Sequence, residues 1–228
     1  MRIPKNIKLF AVARGDRMEI IMKINFLGDS ITQGACASVY ENNYVSLVGQ
    51  LLGCEVANFG IGGTRIARKF GPDEYGEYFL LRAKRMADAD LVFVFGGTND
   101  YGHGDAPFGT FEDKTSDTYC GAVRELCEYL VARYGKEKIT FILPIPRYNQ
   151  ENPYGDGTKA EPAPILAEYI AAQKKIVEEY GISVLDISDS FEIPTVNTPT
   201  ELMEDGLHPN DKGHLVIAER IAEYVKSK

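Results

Sequence analysis

The sequence has no excess of positive charge, no paired cysteines, no long apolar run and only three histidines. Each shortage removes a class of function. With a formal net charge of -8, the chain offers no basic footprint for the phosphates of a nucleic acid. The same balance disfavours docking on an anionic membrane surface. No apolar stretch approaches the ~20 residues that a membrane-spanning helix needs. The apolar residues at Leu9–Ala13 are too few for a secretory signal, and Arg14, Asp16, Arg17 and Glu19 follow at once; a cytoplasmic location is the expectation. The four cysteines, Cys36, Cys54, Cys120 and Cys127, form no CxxC pair, which leaves a zinc ribbon or a thioredoxin-type motif unsupported. They read as buried free thiols of a reducing compartment, with Cys120 and Cys127 on one helical face. No internal repeat or low-complexity tract is visible.

What is present is an ordinary globular composition. Hydrophobic residues make up 44% and charged residues 25% of 228 residues, enough for one substantial core without disulfide staples. Met22 opens the stretch MKINFLGDSITQG, which reads like a chain start ahead of a first strand. Residues 1–21 are therefore expected to be an appendage and residues 22–228 a single domain. Strands are expected at Lys23–Leu27, Glu55–Asn58, Leu91–Phe95, Ile139–Leu143 and Ile182–Leu185. LVFVF at Leu91–Phe95 is apolar throughout, as a parallel strand covered on both faces should be. Helices are expected at Asn42–Leu52, Glu74–Ala87, Ser116–Tyr134, Ile165–Tyr180 and Lys212–Val225, the last with Asn210 as its cap. This alternation predicts a parallel five-stranded sheet with helices on both faces. Ligands of such sheets bind outside the carboxyl ends of the strands. The turns Gly28–Ser30, Gly60–Thr64 and Gly96–Asp100 should all open there.

The same turns carry the chemistry. Ser30 lies just after a strand, before a possible short helix, where its hydroxyl is presented among backbone N–H groups. Serine needs an adjacent base to act as a nucleophile. Of the three histidines, His103, His208 and His214, His208 lies in the loop before the last helix with Asp205 three residues earlier. An acid there can hold the imidazole in one tautomer. Gly63, through its N–H, and Asn99, through its side-chain amide, could serve a developing oxyanion. His214 is expected to be structural or on the surface. A metal site is not expected, because no HExxH-type spacing is present.

GDSIT at Gly28–Thr32, NFGIGGT at Asn58–Thr64, GGTND at Gly96–Asp100 and DGLHPN at Asp205–Asn210 resemble the four blocks of the SGNH (GDSL-type) hydrolases, in that family's order. The resemblance runs from Met22 to the final helix. It implies a flavodoxin-like three-layer α/β/α sandwich and an esterase of carboxylic, short-chain or acetyl esters. Ser30, Asp205 and His208 would be catalytic; Ser30, Gly63 and Asn99 would form the oxyanion hole, with Gly62 as the alternative to Gly63. No metal or organic cofactor is implied, and the partner is a small-molecule ester.

Two long loops, Tyr101–Thr115 and Pro144–Pro164, should leave the sheet at the edge that carries Ser30, and loops of such length are commonly functional. Asp29, His103, Arg147, Tyr148 and Tyr154 are the candidate substrate-binding residues. His103 could equally be a solvated loop histidine, and the second loop could be solvent-exposed throughout. Acyl transfer to an alcohol, or thioester cleavage, would use the same site. A phosphate- or nucleotide-binding flavodoxin-like module is the non-enzymatic rival, although GIGG lacks the Lys-Ser/Thr ending of a P-loop and does not complete GxGxxG.

Overall fold

The computed structural model describes residues 10–14, 17–69 and 77–228. Strands β1 (Phe10–Arg14) and β2 (Arg17–Ile21) pair antiparallel in a small sheet of their own. The main sheet follows. Its elements are β3 (Lys23–Gly28), α1 (Ser30–Gln33), α2 (Tyr44–Leu52), β4 (Glu55–Gly60), α3 (Phe79–Ala83), β5 (Leu91–Phe95), α4 (Thr98–His103), α5 (Tyr119–Tyr134), β6 (Ile139–Ile142), α6 (Leu166–Glu179), β7 (Ser183–Leu185) and α7 (Asp211–Ser227). The five strands are parallel, in the order β4-β3-β5-β6-β7. The chain leaves β3 toward β4 and then returns to its other side for β5, so β3 and β5 flank the point where strand order reverses. A ligand crevice is expected at that point.

Alternation along the strands separates two cores. Leu27, Val92, Val94 and Phe141 face a cluster shared with α3, α5 and α6. Phe26, Leu91, Phe93, Phe95 and Ile142 face the opposite cluster, shared with α2 and α7. The fold is thus a three-layer α/β/α sandwich. Phe26 stacks on Phe93 with ring centroids 5.4 Å apart, and Tyr44 of α2 meets Phe26 edge-on at 5.6 Å. Each fully buried aromatic or aliphatic side chain of this kind contributes roughly 1.5–3 kcal/mol.

Side-chain caps set several helix starts. Asn43 accepts from Ser46 N and starts α2, Thr118 accepts from Gly121 N and starts α5, and Asn210 accepts from Lys212 N and Gly213 N at α7. The expected helix at Glu74–Ala87 is shorter. Helix α3 covers Phe79–Ala83, beyond which Arg85 and Met86 bond back three residues in a tight turn. Residues 74–76 of that expectation lie outside the described residues.

Candidate active site

The turn that carries Ser30 depends on close backbone approach. A Cβ on Gly28 would fall 1.8 Å from Thr32 Oγ1 and 2.7 Å from Phe95 O, and one on Gly60 would fall 2.2 Å from Gln33 N. Only glycine lets α1 sit this tightly on the ends of β3 and β4. Asp29 caps α1, its Oδ1 accepting from Ile31 N at 3.0 Å. Ser30 follows as the first helical residue, partly exposed at the carboxyl end of the sheet.

The chain brings its other chemistry to this point from the far end. Ser30 Oγ lies 3.0 Å from His208 Nε2, and His208 Nδ1 lies 2.7 Å from Asp205 Oδ2. Asp205 Oδ1 accepts from His208 N at 2.7 Å and from Leu207 N at 2.9 Å. A carboxylate at Nδ1 places the imidazole proton there and leaves the Nε2 lone pair facing the serine hydroxyl. Gly206 makes the loop possible with φ 74, and its carbonyl accepts from Tyr148 N at 2.9 Å. Burial acts to raise the Asp205 carboxyl, but the hydrogen bonds from the His208 ring and the two amides outweigh it and hold it below its ordinary value.

The second and third turns are fastened to the first. Asn58 Nδ2 donates to Thr32 O at 2.7 Å, while its Oδ1 accepts from Gly60 N at 2.8 Å. Gly62 N donates to Gln33 Oε1 at 2.7 Å. Gly63 has φ 73, and a Cβ there would meet nothing within 4 Å. Asn99 is buried and donates from Nδ2 to Thr64 O at 3.0 Å. Asp100 accepts from Ile66 N and Ala67 N, and burial pushes its carboxyl up to about 6.

Arg82, buried on α3, ties these turns together. Its Nη1 donates to Gly28 O at 2.6 Å and also to Phe59 O, Nη2 donates to Thr64 Oγ1 at 2.7 Å, and Nε donates to Glu77 O at 2.7 Å. Sequence reasoning missed it. Its one signal was a charge inside the apolar FLLRA stretch of α3.

The structure sorts the other expected residues. Asp29 is wholly buried, engaged as a cap; its Oδ2 has no hydrogen-bond partner and burial pushes the carboxyl up to about 6. Arg147, expected in the pocket, is only 1% exposed. Its guanidinium pairs with Asp156, donates to Thr98 O at 3.2 Å and packs over the Tyr101 and Tyr148 rings. It braces the wall rather than lining it. Tyr148 is partly exposed and its ring lies against Gly206 of the Asp205–His208 loop. Tyr154 is 44% exposed. His103 is partly buried, and burial together with nearby Arg65 holds its imidazole below the ordinary value.

His214 is fully buried. Its Nδ1 accepts from Tyr44 N at 3.3 Å and its Nε2 donates to Ala35 O at 3.1 Å, which fixes one neutral tautomer and keeps it structural. The reading of all four cysteines as buried needs correction. Cys120 and Cys127 are buried on α5, but Cys54 is partly exposed and Cys36 exposed. Cys36 follows the end of α1 in a short turn that leaves its side chain outside the core.

Comparison with known proteins agrees with this architecture. The GDSL-like Lipase/Acylhydrolase family matches residues 26–216. An acetylxylan esterase from Xylanibacter ruminicola is 24% identical over 91% of the chain; the chain spans 44% of that relative's length. A crystal structure of a protein from Lactobacillus plantarum superposes with a TM-score of 0.76 at 26% identity, covering 92% of this chain and 99% of the other. A carbohydrate acetylesterase family member from Sinorhizobium meliloti shares the fold at a TM-score of 0.62 and 17% identity, covering 91% and 98%. No helix among the described residues is long and apolar enough to cross a membrane. The matched span contains Ser30, both glycine turns and the Asp205–His208 loop; the chain belongs to the GDSL-like lipase/acylhydrolase family.

Proposed function

We propose that this chain hydrolyses short-chain carboxylic esters, acetyl esters foremost, through an acyl-enzyme on Ser30. One observation carries the reading: the unbroken hydrogen-bonded line from Ser30 Oγ through the His208 ring to Asp205. In the first half-reaction Ser30 Oγ attacks the acyl carbon, and His208 Nε2 takes the hydroxyl proton. The charge moves onto the carbonyl oxygen. The N–H groups of Ser30 and Gly63 and the Asn99 side-chain amide receive it. Asn99 Nδ2 carries two hydrogens, of which Thr64 O takes one. His208 then returns its proton to the leaving alcohol, and the tetrahedral intermediate collapses to the acyl-serine. Water, deprotonated by the same nitrogen, releases the acid. Asp205 steadies the imidazolium in both halves without itself being protonated.

The acetyl preference is supported by the acetylxylan esterase among the relatives, which points to an acetylated carbohydrate as the natural alcohol part. Tyr148, beside the catalytic loop, and the exposed Tyr154 are the side chains proposed to meet that alcohol. The test is a series of p-nitrophenyl esters from acetate to octanoate, with acetylated xylo-oligosaccharides alongside, for the wild type, Ser30→Ala and Asn99→Ala. Turnover should be highest for acetate and absent in Ser30→Ala. Asn99→Ala should lose ~10²–10³ in kcat, the usual effect of one oxyanion donor. Equal activity of wild type and Ser30→Ala would remove Ser30 as the nucleophile.

A further inference from the structure

We propose that Cys36, Asp205 and His208 form a binding site for a thiophilic divalent cation, Zn²⁺ or Cd²⁺, whose occupancy blocks the catalytic base. Cys36 Sγ, a carboxylate oxygen of Asp205 and a ring nitrogen of His208 all lie within 4.8 Å of one another. Ligand atoms held at ~2.0–2.3 Å by a tetrahedral ion stand ~3.3–3.8 Å apart. A shift of about 1 Å or a little more therefore closes the set, and rotation of the exposed Cys36 side chain toward the Asp205–His208 pair supplies it. Cys36 is exposed, and the Asp205 side chain is 45% exposed. Solvent can supply the fourth ligand.

The thiol is presented by an anchored backbone. Ala35 N donates to Ser30 O at 2.9 Å, Ala35 O accepts from His214 Nε2, and Ala37 N donates to Gly34 O at 3.1 Å. Cys36 between them sits at φ 64, in the left-handed region. The local charge favours a cation. Burial, then the carboxylates of Asp205 and Glu204, push the Cys36 thiol up. Those two carboxylates oppose a thiolate but attract a metal ion, and coordination removes the thiol proton outright. A sulfur, nitrogen and oxygen donor set selects soft or borderline ions over Mg²⁺ and Ca²⁺.

The consequence follows from the hydrogen bonds already in place. An ion on Nδ1 displaces the proton shared with Asp205, and an ion on Nε2 occupies the lone pair facing Ser30. Either position ends general-base action. This inhibitory half rests on the proposed function; the binding half does not.

Two readouts keep the halves apart. Cd²⁺ titration, followed by the ultraviolet thiolate-to-cadmium band, reports binding in the wild type, Cys36→Ser and the control Cys54→Ser. Zn²⁺ inhibition of p-nitrophenyl acetate hydrolysis, reversed by a chelator, reports the block. One cadmium per chain is expected, with the band lost in Cys36→Ser and kept in Cys54→Ser and Ser30→Ala. Cys36→Ser should keep its basal activity and need at least about tenfold more Zn²⁺ for half inhibition. A band that persists in Cys36→Ser, or Zn²⁺ inhibition unchanged by that substitution, overturns the site. A protein with no esterase activity that still shows the Cys36-dependent band keeps the site and removes the function on which the inhibition rests.

Discussion

Asp29 precedes Ser30, the proposed nucleophile, and is buried with one oxygen capping α1 and the other without a partner. Burial raises its carboxyl from 3.8 to about 6. A carboxyl raised in the folded state binds its proton more tightly there than in the unfolded chain. Its contribution to stability is complete below the ordinary value and is lost as pH rises through about 6. One pKa unit corresponds to about 1.4 kcal/mol. In urea unfolding, the wild type should therefore lose about 2–3 kcal/mol relative to Asp29→Asn between roughly pH 4 and pH 8. Asp100 titrates in both proteins and cancels in the comparison. A difference independent of pH would mean that Asp29 ionises as freely in the fold as outside it. At this scale the sequence was informative where chemistry comes packaged in short motifs: Ser30, Asp205, His208 and Asn99 each stand in a recognisable block. Arg82 and Cys36 escaped because their partners are remote. Arg82 reaches Gly28, 54 positions away, and the neighbours of Cys36 come from the chain's last loop. Arg147 was misjudged because a cationic side chain in a long loop reads as solvent-facing until Asp156, Thr98 and two aromatic rings enclose it.

Helix α3 contributes one side chain to three turns at once. By donating to Gly28 O, Phe59 O and Thr64 Oγ1, Arg82 joins the exit of β3, the exit of β4 and the turn that carries Gly63. Burial lowers its guanidinium to about 10, still charged at neutral pH. Each buried hydrogen bond left unmade costs about 1–3 kcal/mol. Arg82→Met should therefore destabilise the fold by at least about 3 kcal/mol. Arg82→Lys, which keeps the charge but not the fork of donors, should lower kcat more than it raises KM, because loosening the proposed oxyanion turn at Gly63 is felt in the transition state. Steady-state kinetics with melting curves checks both; a loss confined to stability would limit Arg82 to a structural role. Among the elements, β5 and α5 were legible from their uninterrupted or helically spaced apolar residues. The starts of α2 and α5 shifted because Asn43 and Thr118, not the residues before them, make the capping bonds. Helix α3 was overdrawn, since periodic apolar residues cannot reveal the tight turn at Arg85 and Met86.

Across the whole molecule, the strand order delivers Ser30, the glycine turns and both long loops to the carboxyl edge of the sheet. That placement was readable from strand–helix alternation alone, because parallel strands force it. The distance between Ser30 and His208, 178 positions apart, was not; only the family resemblance implied their meeting. We propose that the catalytic domain begins at Met22, since β1 and β2 pair with each other outside the five-stranded sheet. A chain starting at Met22 should keep its ester turnover and shift its melting temperature by no more than about 2–4 °C, the equivalent of about 1 kcal/mol; a collapse of either would make the preceding hairpin part of the fold. The nucleophile itself is most directly tested by covalent trapping. The protein is treated with a fluorophosphonate and its mass is measured intact and after proteolysis, for the wild type and for Ser30→Ala. One adduct per chain, mapped to Ser30 and absent from Ser30→Ala, is the predicted result. An adduct on another residue, or equal labelling of Ser30→Ala, would contradict the assignment of Ser30 as the nucleophile.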